Sequence, residues 1–200
     1  MGISSIFKKF KRPTNFNDSE NVDTCLKTYL MAKAHIKKFR VAVDIGCRDG
    51  DFSRPMLNDF ENIFAFDYRD RLKFNSSKLC FYNCALGDEE LTVRASGGTI
   101  TNLRNTKVKK VNQKTLDSFN FENVDFIKID VEGHELKVLK GSQKTLEKYN
   151  PVICIEENGS QVKWGKGIKN DALDYLISKG YKVVAKNEPP LSLDYVLIRE

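Results

Sequence analysis

The stretch VAVDIGCRDGDFS, from Val41 to Ser53, constrains this chain more than any other. An apolar strand pattern stops at Asp44 and turns at once into Gly46-Cys47-Arg48-Asp49-Gly50. Glycines let a backbone bend tightly and approach a ligand, because no Cβ intervenes. A turn just past the carboxyl end of a first strand is where open parallel sheets bind nucleotide-like ligands. The chain is thereby directed toward an α/β fold, with Asp44, Gly46, Cys47 and Gly50 on a cofactor turn. The spacing D-x-G-x-x-x-G is not the G-x-G-x-x-G that seats a pyrophosphate on a helix N-terminus. It suits a cationic, phosphate-free cofactor such as S-adenosylmethionine, and a side chain added at Gly46 is expected to enter the ligand space. The plain alternative is a strand-to-turn junction without a ligand.

Apolar bursts alternate with polar or helical stretches through the rest of the chain. Strands are expected at Val41–Asp44, Ile63–Phe66, Leu79–Ala85, Phe126–Val131, Val152–Glu156, Tyr181–Ala185 and Tyr195–Arg199. Several are continuous apolar runs, as in strands covered on both faces of a parallel sheet. Helices are expected over 22–38, with Leu26, Tyr29, Leu30 and Ala34 on one face, and over His134–Tyr149 and Asn170–Lys179. Residues 91–116 differ: Val93, Ile100, Val108 and Val111 stand among polar residues beside Gly97-Gly98. They predict a small antiparallel insertion or a loop over the site, and Gly97-Gly98-Thr99 with Lys107–Lys114 should border the acceptor. A chain of 200 residues has room for one domain. The expected division is a basic arm and linker over 1–21, then a single domain over 22–200.

Charge narrows the partner. Residues 1–40 hold nine Lys/Arg and three Asp/Glu, whereas the remaining 160 hold 24 of each sign, so the net +6 sits at the N-terminal end. A nucleic-acid enzyme carries its excess along the catalytic face, so this placement argues against nucleic acid as substrate. The arm itself sets Ile3, Ile6, Phe7 and Phe10 among Lys8, Lys9, Lys11 and Arg12. It reads either as a weak membrane-surface contact or as a frayed basic terminus. No apolar run approaches the about 20 residues of a membrane span. Five cysteines, an odd number without C-x-x-C spacing, read as reduced thiols in a cytoplasmic compartment. Cys80 and Cys84 should share one strand face.

Further acids fall at successive strand ends. Asp67 follows Ile63-Phe64-Ala65-Phe66, where a carboxylate can accept hydrogen bonds from ribose hydroxyls. Ala85 and Leu86 offer a small apolar ledge for an adenine ring. The run Phe126-Ile127-Lys128-Ile129 ends in Asp130-Val131-Glu132-Gly133-His134. Singly, each acid has a plain reading: a turn former at Asp67, a helix N-cap at Asp130, and partners of a helix's positive end at Glu132 and Glu135. Together they delimit a cleft from residues 44–50, 67–68, 84–86 and 130–132.

The segments DIGCRDGDFS, NCALGDEELTV, KTLDSF and VDFIKIDVEGHELKVLKGSQKTLEKYNPVICIE resemble the FkbM family of methyltransferases over residues 41–157. The resemblance implies a class I, Rossmann-like fold: an α/β domain with a seven-stranded, mostly parallel sheet, its last strand antiparallel, and helices on both faces. It implies S-adenosylmethionine as cofactor and methyl transfer to a hydroxyl of a sugar or small metabolite. On this likeness Asp44, Gly46 and Gly50 hold the methionine end, Asp67 the ribose, and Ala85 and Leu86 the adenine. Asp130 and Glu132 then face the transfer site. Two departures stand out: Gly46-Cys47-Arg48-Asp49 replaces the usual glycine-alanine-asparagine, and Asp67-Tyr68 replaces a glutamate-proline pair.

Methyl transfer from a sulfonium is an in-line displacement, helped by alignment and by a base that takes the hydroxyl proton. Asp130, Glu132 and His134 are the candidates, the two acids ahead of the histidine. Asp130 with Glu156 and Glu157 has the chemistry of a hard-metal site, although the expected site contains no metal. Two rivals remain. A nicotinamide-dependent oxidoreductase would share the sheet and Asp67, and the chain holds one Tyr-x-x-x-Lys pair, Tyr175 and Lys179. A methyltransferase-like binding module without activity would share everything except turnover.

Overall fold

The computed structural model describes residues 16–97, 99–101, 108–159, 162, 167–187 and 193–200. Its centre is a seven-stranded sheet of β1 (Val41–Ile45), β2 (Asn62–Phe66), β3 (Leu79–Tyr82), β8 (Val124–Ile129), β9 (Val152–Glu156), β10 (Lys182–Lys186) and β11 (Asp194–Ile198). The spatial order is β3-β2-β1-β8-β9-β11-β10. Neighbours from β3 to β9 pair in parallel, and β11 runs antiparallel to both β9 and β10. The order reverses between β1 and β8, and at such a switch point the strand ends splay into a crevice.

Alternation along each strand sends side chains to two cores. Val41, Val43, Ile45, Ile127, Ile129, Ile153 and Ile155 face one core, with Val138 and Leu139 of α3 (Glu135–Lys140), Leu146 of α4 (Gln143–Tyr149), and Leu173 and Leu176 of α5 (Asp171–Ser178). Ala42, Ile63, Phe126 and Cys154 face the other, with Tyr29 and Ala32 of α1 (Phe16–Lys33) and Met56 of α2 (Ser53–Met56). The same parity governs the polar residues. Asp44 and Lys128 follow Ala42 and Phe126 to the α1–α2 side, where Lys128 Nζ lies 2.7 Å from Asp194 Oδ1 and Thr28 donates to Asp194 Oδ2 at 3.1 Å.

A second sheet in the order β4-β7-β5-β6 is formed by β4 (Ala85–Leu86), β5 (Leu91–Ser96), β6 (Thr99–Ile100) and β7 (Lys109–Lys114). Its β5, β6 and β7 are antiparallel partners, while β4 pairs β7 in parallel.

Several local expectations are corrected. The helix expected over 22–38 runs from Phe16 to Lys33, inside the stretch assigned to a linker, because Asn, Asp, Ser and Glu are residues that helix starts favour. Its buried face carries Thr28, Tyr29 and Ala32, whereas Leu30 and Ala34 are exposed. Tyr29 fixes the rotation by packing edge-on to Phe52 and Phe126 while its hydroxyl donates to Asp59 at 2.6 Å. The strand expected over Leu79–Ala85 breaks at Asn83-Cys84, where the chain passes from one sheet to the other, so Cys80 is exposed and Cys84 buried. The helix expected over His134–Tyr149 is two helices. The break falls at Gly141-Ser142, and Gly141 has no room for a side chain: a Cβ there would lie 1.9 Å from the Gly87 carbonyl oxygen.

Candidate active site

A cleft opens at the carboxyl ends of β1, β2 and β8, closed on its far side by the small sheet. Its walls include Gly46, Asp67, Tyr68, Ala85, Leu86, Asp130, Glu132 and His134, eight of the residues expected from sequence. The other three expected residues shape the turn from behind. Asp44 is buried on the α1–α2 face and accepts a 2.5 Å hydrogen bond from Ser53 Oγ. Burial pushes its carboxyl up to about 7, against the lowering effect of the Ser53 bond. Cys47 is buried, its thiol raised well above the ordinary range by burial, and its carbonyl accepts from Gly50 N–H at 2.7 Å. Gly50 makes room for the chain after β2: a Cβ there would lie 2.4 Å from Phe74 and 2.6 Å from Leu72.

Gly46 is required by the protein itself. Its φ is +85°, and a Cβ would stand 1.7 Å from the carbonyl oxygen of Asp130. The expectation that a side chain there would enter ligand space is therefore corrected: it would strike the end of the neighbouring strand first. The amides of Gly46 and Cys47 both donate to the Phe66 carbonyl, and Asp130 N–H donates to the Ile45 carbonyl. These bonds tie the ends of β1, β2 and β8 into one rim.

Asp67 is buried at that rim and already engaged. One carboxylate oxygen accepts from Arg69 N–H at 2.7 Å and Arg69 Nε at 3.2 Å. The other accepts from Arg48 N–H at 3.1 Å and Arg69 Nη2 at 3.4 Å. Sequence reasoning missed Arg48 and Arg69, although Arg69 lies only two residues beyond the acid. Ala85 and Leu86 form the buried ledge opposite.

The loop after β8 is held by a residue that sequence reasoning treated only as a helix-end charge. The Glu135 Oε1 atom accepts from Gly133 N–H at 3.0 Å and Val131 N–H at 3.2 Å. Burial pushes this carboxyl up to about 7, while those amide bonds pull it down. Glu132 sits in the left-handed region at φ +55°, and its carbonyl accepts from Thr99 Oγ1 at 2.8 Å. His134 is buried, with Nε2 3.0 Å from Gln113 Oε1. Gln113 Nε2 in turn donates to the Glu89 carbonyl at 2.9 Å. Two of the border residues expected on the insertion, Thr99 and Gln113, thus touch the loop, and Ile100 lines the cleft. Gly98 and Lys107 lie outside the described residues, as does the basic arm over 1–15.

Asp130, Glu132 and Glu156 bring carboxylate oxygens within 4.8 Å of one another. Glu132 takes the place expected for Glu157, which is buried and bonded through its backbone amide to Leu193. Burial and then the charge of Asp130 push Glu156 up to about 9. The Tyr175–Lys179 pair lies at the end of α5, away from the cleft, with Lys179 against Tyr175 and Glu147.

Residues 51–183 match the family model described as the methyltransferase FkbM domain. The chain belongs to this family. The match begins after the turn at 44–50. No curated protein is significantly similar in sequence. Among solved structures, the FkbM methyltransferase from Methylobacillus flagellatus KT is 17% identical with a TM-score of 0.58, over 80% of this chain and 44% of that one. This chain therefore spans less than half the length of that relative. The N-methyltransferase NodS from Bradyrhizobium japonicum WM9 is 10% identical with a TM-score of 0.54, over 94% and 98%. Magnesium protoporphyrin IX methyltransferase from Synechocystis PCC 6803, solved with bound SAM, is 10% identical with a TM-score of 0.54, over 98% and 91%. These likenesses establish the fold as that of class I methyltransferases. The cleft fits S-adenosylmethionine, the ligand solved with the Synechocystis enzyme: carboxylates for hydroxyl and cationic groups, an apolar ledge, and a glycine rim without a phosphate cradle.

Proposed function

We propose that this FkbM domain transfers a methyl group from S-adenosylmethionine to a hydroxyl of a sugar or small metabolite. One observation carries the reading: Asp67 and Asp130, at the ends of strands on either side of β1, face a single cleft whose floor is the Gly46 turn. When bound, the cofactor would supply an electrophilic methyl carbon, with a neutral thioether as the leaving group. The chain's own residues supply the rest. Asp67 holds ribose hydroxyls once Arg69 yields one of its bonds, and Ala85 and Leu86 flank the adenine. Asp130 and Glu132 orient the acceptor hydroxyl, and a carboxylate oxygen of Asp130 takes its proton.

His134 is a positioning residue in this account. Its Nε2–H is committed to Gln113, so in the neutral ring the basic atom is Nδ1. Five free cysteines and a hydroxyl substrate suit a cytoplasmic setting, and among the described residues no helix is long and apolar enough to cross a membrane. The experiment is release of S-adenosylhomocysteine with a panel of sugars and hydroxylated metabolites. Product with a hydroxylated acceptor supports the reading. Cofactor binding without turnover on any acceptor indicates a binding module, and preferential binding of a nicotinamide dinucleotide indicates an oxidoreductase.

A further inference from the structure

Residues 91–114 carry six basic residues and no acid, while the rest of 41–200 holds 18 basic and 24 acidic residues. The charge that looks neutral over 160 residues is therefore uneven, +6 over 91–114 and −6 over the remainder. Four of these residues are described: Arg94, Lys109, Lys110 and Lys114, all exposed. Inner positions of the same strands, Ala95, Val111 and Gln113, are buried, with Gln113 reaching His134.

The register concentrates the charge. Arg94 pairs directly with Lys110, and Ala95 with Lys109 on one side and Ile100 on the other. Like charges directly opposite in an antiparallel pair destabilise a sheet. None of Arg94, Lys109 and Lys110 forms an ion pair among the described residues. This cationic end is the one that carries cleft-lining Ile100 and the Thr99 hydroxyl bonded to Glu132. The acids that precede the insertion, Glu89 and Glu90, stand at the opposite end, beside the Leu91–Gln113 pair.

We propose that this face binds an anionic portion of the acceptor, and that the acceptor is an oligosaccharide bearing carboxylate or phosphate groups. The proposal rests on the methyltransferase reading and names its substrate class. One end of the ligand presents a hydroxyl in the cleft, and the chain of sugars passes over the β6 edge onto the paired Arg94 and Lys110. The unpaired cations destabilise the sheet alone, and an anion lying across them removes that repulsion. An RNA strand is the weaker fit, because single-stranded nucleic acid is held by aromatic platforms as well as cations. The described residues of β5, β6 and β7 include no aromatic side chain.

The test titrates the full chain with a heparin-derived hexasaccharide, neutral maltohexaose and a mixed-sequence 12-nucleotide RNA, and measures S-adenosylmethionine affinity on the same samples. The expected result is hexasaccharide binding at least tenfold tighter than maltohexaose and weakening as salt is raised. Arg94→Glu with Lys110→Glu should lower hexasaccharide affinity at least tenfold and leave cofactor affinity within twofold. A matched reversal in the arm, Lys8→Glu with Lys9→Glu, should leave hexasaccharide affinity within threefold. Equal affinity for both sugars, insensitivity to the Arg94/Lys110 reversal, a larger effect of the arm reversal, or tighter RNA binding would each overturn the proposal. Failure of the methyltransferase reading would show separately, as absent cofactor binding by the unsubstituted chain.

Discussion

His134 Nε2 stands 3.0 Å from Gln113 Oε1, joining the loop after β8 to the small sheet. Because the Gln113 amide nitrogen donates to the Glu89 carbonyl, its oxygen is the acceptor and the imidazole the donor. Removing the amide strips a partner from the buried His134 ring and one from the exposed Glu89. An unsatisfied buried group costs about 1–3 kcal/mol. Gln113→Ala should therefore lower unfolding stability by about that amount in urea titration, and unchanged stability would show that the ring does not depend on this bond.

The three residues at the end of β8 are separable by kinetics. If Asp130 takes the proton and Glu132 orients the hydroxyl, Asp130→Asn and Glu132→Gln should lower single-turnover rates far more than cofactor affinity. General-base contributions are about 10²–10⁴-fold. His134→Ala should reduce the rate less than either. Loss of turnover in the histidine variant alone, with both acid variants near the unsubstituted rate, would reverse the assignment.

Glu135 and Asp44 make stability pH-dependent in one direction. Both carboxyls are raised in the folded state, from 4.5 and 3.8 respectively to about 7. Between those limits the folded chain binds more protons than the unfolded chain, so stability falls as pH rises. The contribution is complete below the ordinary carboxyl values and lost by about pH 7. Glu135→Gln keeps an oxygen to accept from Val131 and Gly133 and removes the titration. Its stability should decline less steeply between pH 4.5 and 7 than that of the unsubstituted chain, and an identical slope would assign the dependence elsewhere.

Asp67 and Arg69 make opposite predictions. A charge-assisted hydrogen bond is worth about 1.5–3 kcal/mol, so Asp67→Ala should weaken cofactor binding about tenfold or more. Arg69→Ala removes the Nε and Nη2 donors, leaves the backbone donors of Arg48 and Arg69 in place, and should tighten binding. An Asp67→Ala affinity within twofold of the unsubstituted chain would leave this acid as a turn former only.

Sequence periodicity located the seven principal strands, because each carries an apolar burst between polar turns, whether buried as in β1 and β9 or largely exposed as in β10. The bounds of β9 agree with expectation at both ends. Asp67, Ala85, Leu86 and Asp130 were legible for a related reason: strand ends in a parallel sheet converge on the same edge, so their order along the chain implies proximity. What sequence did not reveal depends on contacts across the fold. The orientation of Asp44 follows from strand parity relative to Ala42 and from Ser53. The Glu135 carboxylate looks like a helix-end charge until the loop at 131–133 closes beneath it. The need for glycine at 141 depends on Gly87, 54 positions earlier, and the hold on Asp67 depends on an arginine whose rotamer no spacing encodes.

Titration calorimetry of S-adenosylmethionine into the full chain, repeated with Asp67→Ala and Asp130→Asn and with a nicotinamide dinucleotide as competitor, tests the central claim most directly. The account predicts saturable one-site binding, weakened about tenfold or more by Asp67→Ala, little changed by Asp130→Asn and unaffected by the dinucleotide. Absence of binding, or binding that Asp67→Ala leaves intact and the dinucleotide displaces, would contradict it.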